Sequence, residues 1–165
     1  MTHSGSRGAK LPSASRTTMT QLIFPEHANA LGKAFGGQVM AWADMCGGIC
    51  SMRHTGGLTV TASVDELHFE NSIAIGDVAV IEAQVNATFS RSMEVEVSVA
   101  GENPRTGARW QCVSSRMTFV AIDADGKPCS VAPLQLDSDD DAARAAAATR
   151  RRAERLSRRR SVAGT

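Results

Sequence analysis

The stretch from Ala34 to His54, AFGGQVMAWADMCGGICSMRH, constrains the fold more than any other part of the chain. It contains no proline, and Val39, Met40, Trp42, Met45, Cys46, Ile49 and Met52 spread over most of the helical circumference. A helix apolar nearly all round must be buried nearly all round. What can bury it is strand. RTTMTQLIF (16–24) is β-prone and stops at Pro25, which cannot continue a ladder. After the helix, Val60, Ala62 and Val64 alternate and the phase then slips to Leu67 and Phe69, which predicts a bulge near Asp65–Glu66. A further strand is expected over Val78–Thr88. Met93, Val95, Val97 and Val99 alternate with Ser92, Glu94, Glu96 and Ser98, the pattern of a half-buried antiparallel strand. Arg109–Asp123 follows, with Val113, Ser115, Met117, Phe119 and Ala121 on one side.

One buried helix followed by long antiparallel strands is an α+β layout in which the sheet wraps the helix, the hot-dog architecture. Such a sheet has free edges, and pairing two chains edge to edge satisfies them, so a dimer at least is expected. At 165 residues the chain is one domain, expected over 16–136. Residues 1–15, rich in Ser, Thr and Gly, are expected as a disordered arm. Residues 137–165 carry eight arginines against five acids, with the acids first and the bases last, which suits a helix macrodipole. Leu156 is almost the only large apolar residue there, so this Ala/Arg-rich tail is expected to be solvated and partly helical. Its modest net charge gives nucleic acid little to hold. No apolar run approaches the ~20 residues of a membrane span, and no apolar stretch follows the basic residues at the start, so the chain is placed in the cytoplasm with no membrane partner.

One stripe of the helix differs from the rest. Gly37, Ala41, Asp44 and Gly48 stack along a single small face with one carboxylate. The four helix glycines, 36, 37, 47 and 48, cost ~1 kcal/mol each relative to alanine, so close packing or room for a ligand must offset them. Gly36–Gly37 lies at the helix start, where unpaired amides and the positive dipole end can polarise a carbonyl oxygen. Asp44, set among apolar side chains, is expected to be buried, with its pKa raised unless a donor holds it ionised. Asn29 can be that donor or can orient a water. Donors, a carboxylate and an amide suit addition of water to an activated carbonyl. There is no GxSxG, no CxxC and no clustered His, Asp or Glu, so a serine nucleophile and a metal site have little to stand on. Cys46 and Cys50 read as buried thiols, His54 as a packing neighbour of Cys50, His27 as a solvated loop residue and His68 as a polar-face residue.

These residues resemble a known family. PEHANALGKAFGGQVMAWAD, with its AN-x-x-G-x-x-FGG-x-x-M-x-x-x-D string, then TASVDELHF (61–69), SRSMEVEV (90–97) and TFVAIDADGKP (118–128), resemble the cytosolic acyl-CoA thioester hydrolases of the hot-dog superfamily over roughly residues 20–133. The resemblance implies hydrolysis of acyl-CoA to free CoA and a fatty acid without metal or cofactor. It implies Asp44 as catalytic carboxylate, acting as base or nucleophile, and Asn29 as catalytic amide. The two would come from opposite subunits of a homodimer, often one of three in a hexamer. Gly36 and Gly37 would receive the thioester carbonyl, and Arg91 and Ser92 would bind substrate. Ser90 departs from the glycine common in relatives. Two other readings compete: a non-catalytic acyl-CoA sensor, which lacks any helix-turn-helix segment with which to read DNA, and a hot-dog dehydratase, which would need a histidine beside the carboxylate.

Overall fold

The computed structural model describes residues 8–163, and the first seven residues of the expected arm lie outside the described residues. Five antiparallel strands, β1 (Thr17–Leu22), β2 (Leu58–Phe69), β3 (Val78–Thr88), β4 (Ser92–Glu102) and β5 (Arg109–Ile122), form one sheet in the order β1-β3-β4-β5-β2. Helix α1 (Gly36–Thr55) lies against one face. Every inward position of β4, namely Met93, Val95, Val97 and Val99, is fully buried, as the alternation requires, and Val113, Met117, Phe119 and Ala121 of β5 join them. Helix α1 ends at Gly56, whose left-handed φ of 62° suits a residue without a Cβ.

The glycines of α1 make room for aromatic rings rather than for another backbone. A Cβ on Gly47 would sit 3.0 Å from the Phe119 ring, and one on Gly37 would sit 2.6 Å from the ring of Phe35. The predicted bulge is present, as a register shift between Val64 and Glu66, and a second shift falls between Thr61 and Ser63. Both lie in β2, a sheet edge.

Three expectations are corrected. Helix α1 buries one face only: Val39, Trp42, Ala43, Cys46, Gly47 and Cys50 meet the sheet, whereas Met40, Ala41, Asp44 and Met45 are exposed. Residues 8–15 are not a loose arm. Lys10 bridges Leu134 in parallel, its ammonium donates to the Arg53 and His54 carbonyls at the end of α1, and Pro12 and Ser15 are buried. A cation placed on the terminal carbonyls of a helix is favoured by the macrodipole. Finally, residues 139–163 form a helix, α2, that lies on the outer face of the sheet. Alanine keeps it slim, so Ala148 is completely buried, and charge rather than bulk anchors it. Arg151 pairs with Glu94 of β4 at 2.5 Å, Arg155 pairs with Asp65 of β2, and Gln84 of β3 donates to Asp141.

Candidate active site

Asn29 sits in the loop before α1, where its side-chain oxygen accepts from the amides of Leu31 (2.9 Å) and Lys33 (3.3 Å). That Asx turn spends the oxygen on the backbone and leaves the side-chain NH2 as the outward donor. Asn29 lines a cleft of about 460 Å³ together with Gly36, Val39, Phe69, Ile73 and Cys112. At the mouth of α1, Phe35 is the N-cap and offers no side-chain acceptor. The first helical bonds are donated by Gln38 and Val39 to the Phe35 carbonyl, so the amides of Gly36 and Gly37 have no partner among the described residues. They are donors held at the positive end of a helix dipole, beside an amide and an apolar cleft.

Asp44 lies elsewhere. Eight residues beyond Gly36 it is about 12 Å along the helix axis, and it does not line the cleft. It is exposed rather than embedded. The apolar residues near it in sequence turn to the other face of α1, which is why counting them misjudged its burial. What holds it is Thr61 of β2, whose hydroxyl donates to the Asp44 carboxylate at 2.6 Å. Sequence reasoning missed Thr61. A threonine in a strand carries no signal of its own, and only the register of β2 against α1 selects it. Around this pair Met40, Met45, Val60 and Val64 are all 43% exposed or more, an apolar belt that continues along the β2 edge to Leu58 and Phe69.

The remaining candidates separate cleanly. Arg91 is exposed at the tip of the β3–β4 turn and Ser92 opens β4, neither of them in the cleft. His27 is not merely solvated: it packs edge-on against Trp42 with ring centroids 5.2 Å apart, and its Nδ1 accepts from the Phe24 amide. His54 is buried and bonds the Ala132 carbonyl at 3.0 Å, and burial pushes its pKa down. Burial likewise pushes the Cys46 thiol up to about 12 and that of Cys50 up to about 11, so neither is a ready nucleophile. No group of three His, Cys, Asp or Glu suited to a metal occurs among the described residues.

A lone helix cradled by a five-stranded antiparallel sheet, with open amides at its start and a fixed carboxylate midway along it, defines a hot-dog protein of thioesterase type. The thioesterase superfamily model matches residues 31–108. The acyl-CoA thioester hydrolase YkhA of Bacillus subtilis, itself uncharacterized, is 34% identical over 88% of this chain and 85% of its own. Mouse acyl-coenzyme A thioesterase 11 is 38% identical over 62% of this chain, which spans only 17% of that protein. Among solved structures, a hexameric acyl-CoA thioesterase superposes with a TM-score of 0.88 at 34% identity, over 92% of this chain and 97% of that one. The Staphylococcus aureus acyl-CoA hydrolase, solved with butyryl-CoA and CoA, gives 0.86 at 31% identity, over 94% of this chain and 95% of that one. The chain belongs to the acyl-CoA thioester hydrolase family of the thioesterase superfamily.

Proposed function

We propose that the protein hydrolyses acyl-CoA thioesters to CoA and a carboxylic acid in a homodimer whose two sites are each shared between subunits. The observation that carries this reading is the separation of the site's two halves: Gly36, Gly37 and Asn29 stand at one end of α1, and Asp44 with Thr61 stands about two turns away. An antiparallel β2–β2 pairing across the exposed edge supplies what is missing. It sets Thr61 of one chain against the half of the partner strand that runs toward Phe69, the residue whose ring lies 3.4 Å from a Cβ built on Gly36. The same pairing covers the apolar belt of α1 and β2. Relatives of this family form hexamers, which supports three such dimers as the assembly.

In this site the Gly36 and Gly37 amides receive the thioester oxygen and stabilise the charge that grows on it. Asp44, oriented by Thr61, either takes the proton of an attacking water or attacks the carbonyl carbon itself, and Asn29 positions the water or the carbonyl. The C–S bond breaks, CoA leaves as thiolate and takes up a proton, and water supplies the oxygen and hydrogen of the acid. The Staphylococcus aureus hydrolase has been studied as single alanine variants of an aspartate, an asparagine and a threonine. Those three residue types fall there at the same mutual spacing as Asn29, Asp44 and Thr61 fall here. A dehydratase would require an imidazole at Asp44, and His27 and His54 are engaged elsewhere. A rat relative described as cytosolic supports action in the cytoplasm.

Free-thiol release across acyl-CoAs of increasing length tests the reading and sets the chain preference. Asp44→Asn keeps the shape but loses the carboxylate, and should cut kcat about a hundredfold or more with assembly intact. Activity within a few-fold of wild type would remove Asp44 from the mechanism. Mixing Asn29→Ala and Asp44→Asn chains should restore part of the activity, because one site of each mixed dimer has both wild-type groups. Verified mixed dimers with no recovery would mean that each site is built from one chain.

A further inference from the structure

Arg152 stands apart from its neighbours on α2. Arg144, Arg151 and Arg155 are each paired with a carboxylate, of Asp141, Glu94 and Asp65 respectively. Arg152 instead lies over the ring of Phe89, 4.2 Å from its centroid, and has no carboxylate partner among the described residues. Stacking uses the face of the guanidinium and leaves its N–H edge unspent. Phe89 opens the tight β3–β4 turn, which its own amide closes on the Ser92 carbonyl at 2.7 Å, and the exposed tip of that turn is Arg91, also without an acidic partner among the described residues.

This cationic corner lies at the same end of the sheet as Asp44. Ser92 pairs with Val120, and Val120 pairs with Val60, the neighbour of Thr61. Two strand spacings therefore separate the turn from the strand that holds the carboxylate, about 10 Å. The pantetheine arm of CoA spans a gap of that order between its thioester and its nucleotide, whose pyrophosphate and 3′-phosphate carry several negative charges. We propose that Arg152, stacked on Phe89, and Arg91 at the turn tip together hold the phosphates at the nucleotide end of CoA, an assignment that rests on the acyl-CoA reading above. Two guanidinium forks suit phosphate oxygens, and the stacked one is held in place before the ligand arrives.

The test compares kcat/KM for one acyl-CoA with that for the matching acyl-pantetheine, which lacks the phosphates, in wild type, Arg152→Ala, Arg91→Ala and Arg105→Ala. Arg105, in the β4–β5 turn at the opposite end of the strands, is the control for a lost surface charge. The ratio of the two constants should fall about tenfold in each of the first two variants, the loss of one charge-assisted contact, and should hold in the third. Adenosine 3′,5′-bisphosphate should bind wild type in calorimetry, compete with acyl-CoA, and bind Arg152→Ala about tenfold more weakly. Unchanged ratios, an equal fall on both substrates, or inhibition that does not compete with acyl-CoA would each overturn the proposal. Because Arg91 lies in an exposed turn, its variant decides the matter even if Arg152→Ala loosens α2. A wild type that releases no thiol from any acyl-CoA would instead overturn the reading beneath it, and the calorimetry would still report on the two arginines.

Discussion

Helices α1 and α2 lie on opposite faces of the same sheet and are attached to it by different physics. Helix α1 is held by apolar burial. Val39, Trp42, Ala43, Cys46 and Cys50 sink into a core with Ile81, Val97 and Phe119, and its polar fixings are few and sit at its ends. Helix α2 has little apolar bulk to offer. It is held by arginines that reach down to carboxylates on the sheet, with alanines letting it come close. The face of α1 turned away from the sheet presents Asp44 and an apolar belt for another molecule, whereas the charged side of α2 is spent mostly on its own chain. Burial of apolar surface hardly responds to salt, but ion pairs do.

The sharpest way to break this comparison is at Phe119, which is 1% exposed and lies in contact range of Gly47. Phe119→Ala should cost about 3–5 kcal/mol by denaturant unfolding and should be nearly indifferent to salt. A cost below 1 kcal/mol would mean that α1 is not seated as described. Arg151→Ala strands Glu94, 2% exposed, beneath α2. Undocking of the helix caps the penalty, so about 1–2 kcal/mol is expected, shrinking in high salt. A loss unaffected by salt would show that α2 is held by packing after all. Deletion of residues 137–165 should cost less than the point change, because Glu94 then meets water. The smallest effect is set by pH. Burial lowers the His54 pKa below its ordinary 6.5, so the unfolded chain binds the proton more readily and stability declines as pH falls below about 6.5. For Asp141 the Arg144 guanidinium holds the carboxyl below its ordinary 3.8, so its contribution is present above that value and is lost only as pH falls further. Melting curves from pH 7.5 to 5.5 should therefore decline in wild type and flatten in His54→Gln, while the Arg151 pair persists throughout. Parallel curves would remove His54 as the cause.

How much of this was legible in the sequence follows from the same contrast. The inward run of β4 and the bulge in β2 were readable because alternation is a property of consecutive residues. The docking of α2 was not, since counting large apolar residues along the helix says nothing of Glu94 and Asp65 waiting on the sheet. The AN…FGG…D string picked out Asn29, Gly36, Gly37 and Asp44, but not that the chain holds the first three apart from the last. Thr61 was invisible for the reason that Asp44 was misjudged: both depend on which way α1 faces against β2, a matter of three-dimensional packing.

The bridge between Lys10 and Leu134 has a consequence for how the chain can be rewired. Parallel neighbours in a ladder run about 5 Å apart, so the opening and closing segments of the core travel side by side in the same direction, bound by the Lys10 amide to Pro133 and the Gln135 amide to Lys10. They act as a clasp that shuts the polypeptide into a near ring around the end of α1. A linker long enough to turn back along this pair could join the segment after Leu134 to the one before Lys10, with new termini opened at the exposed turn around Arg105. Such a circular permutant would keep every strand pairing of the sheet while abandoning α2. A chain trimmed to residue 16 would have no clasp at all.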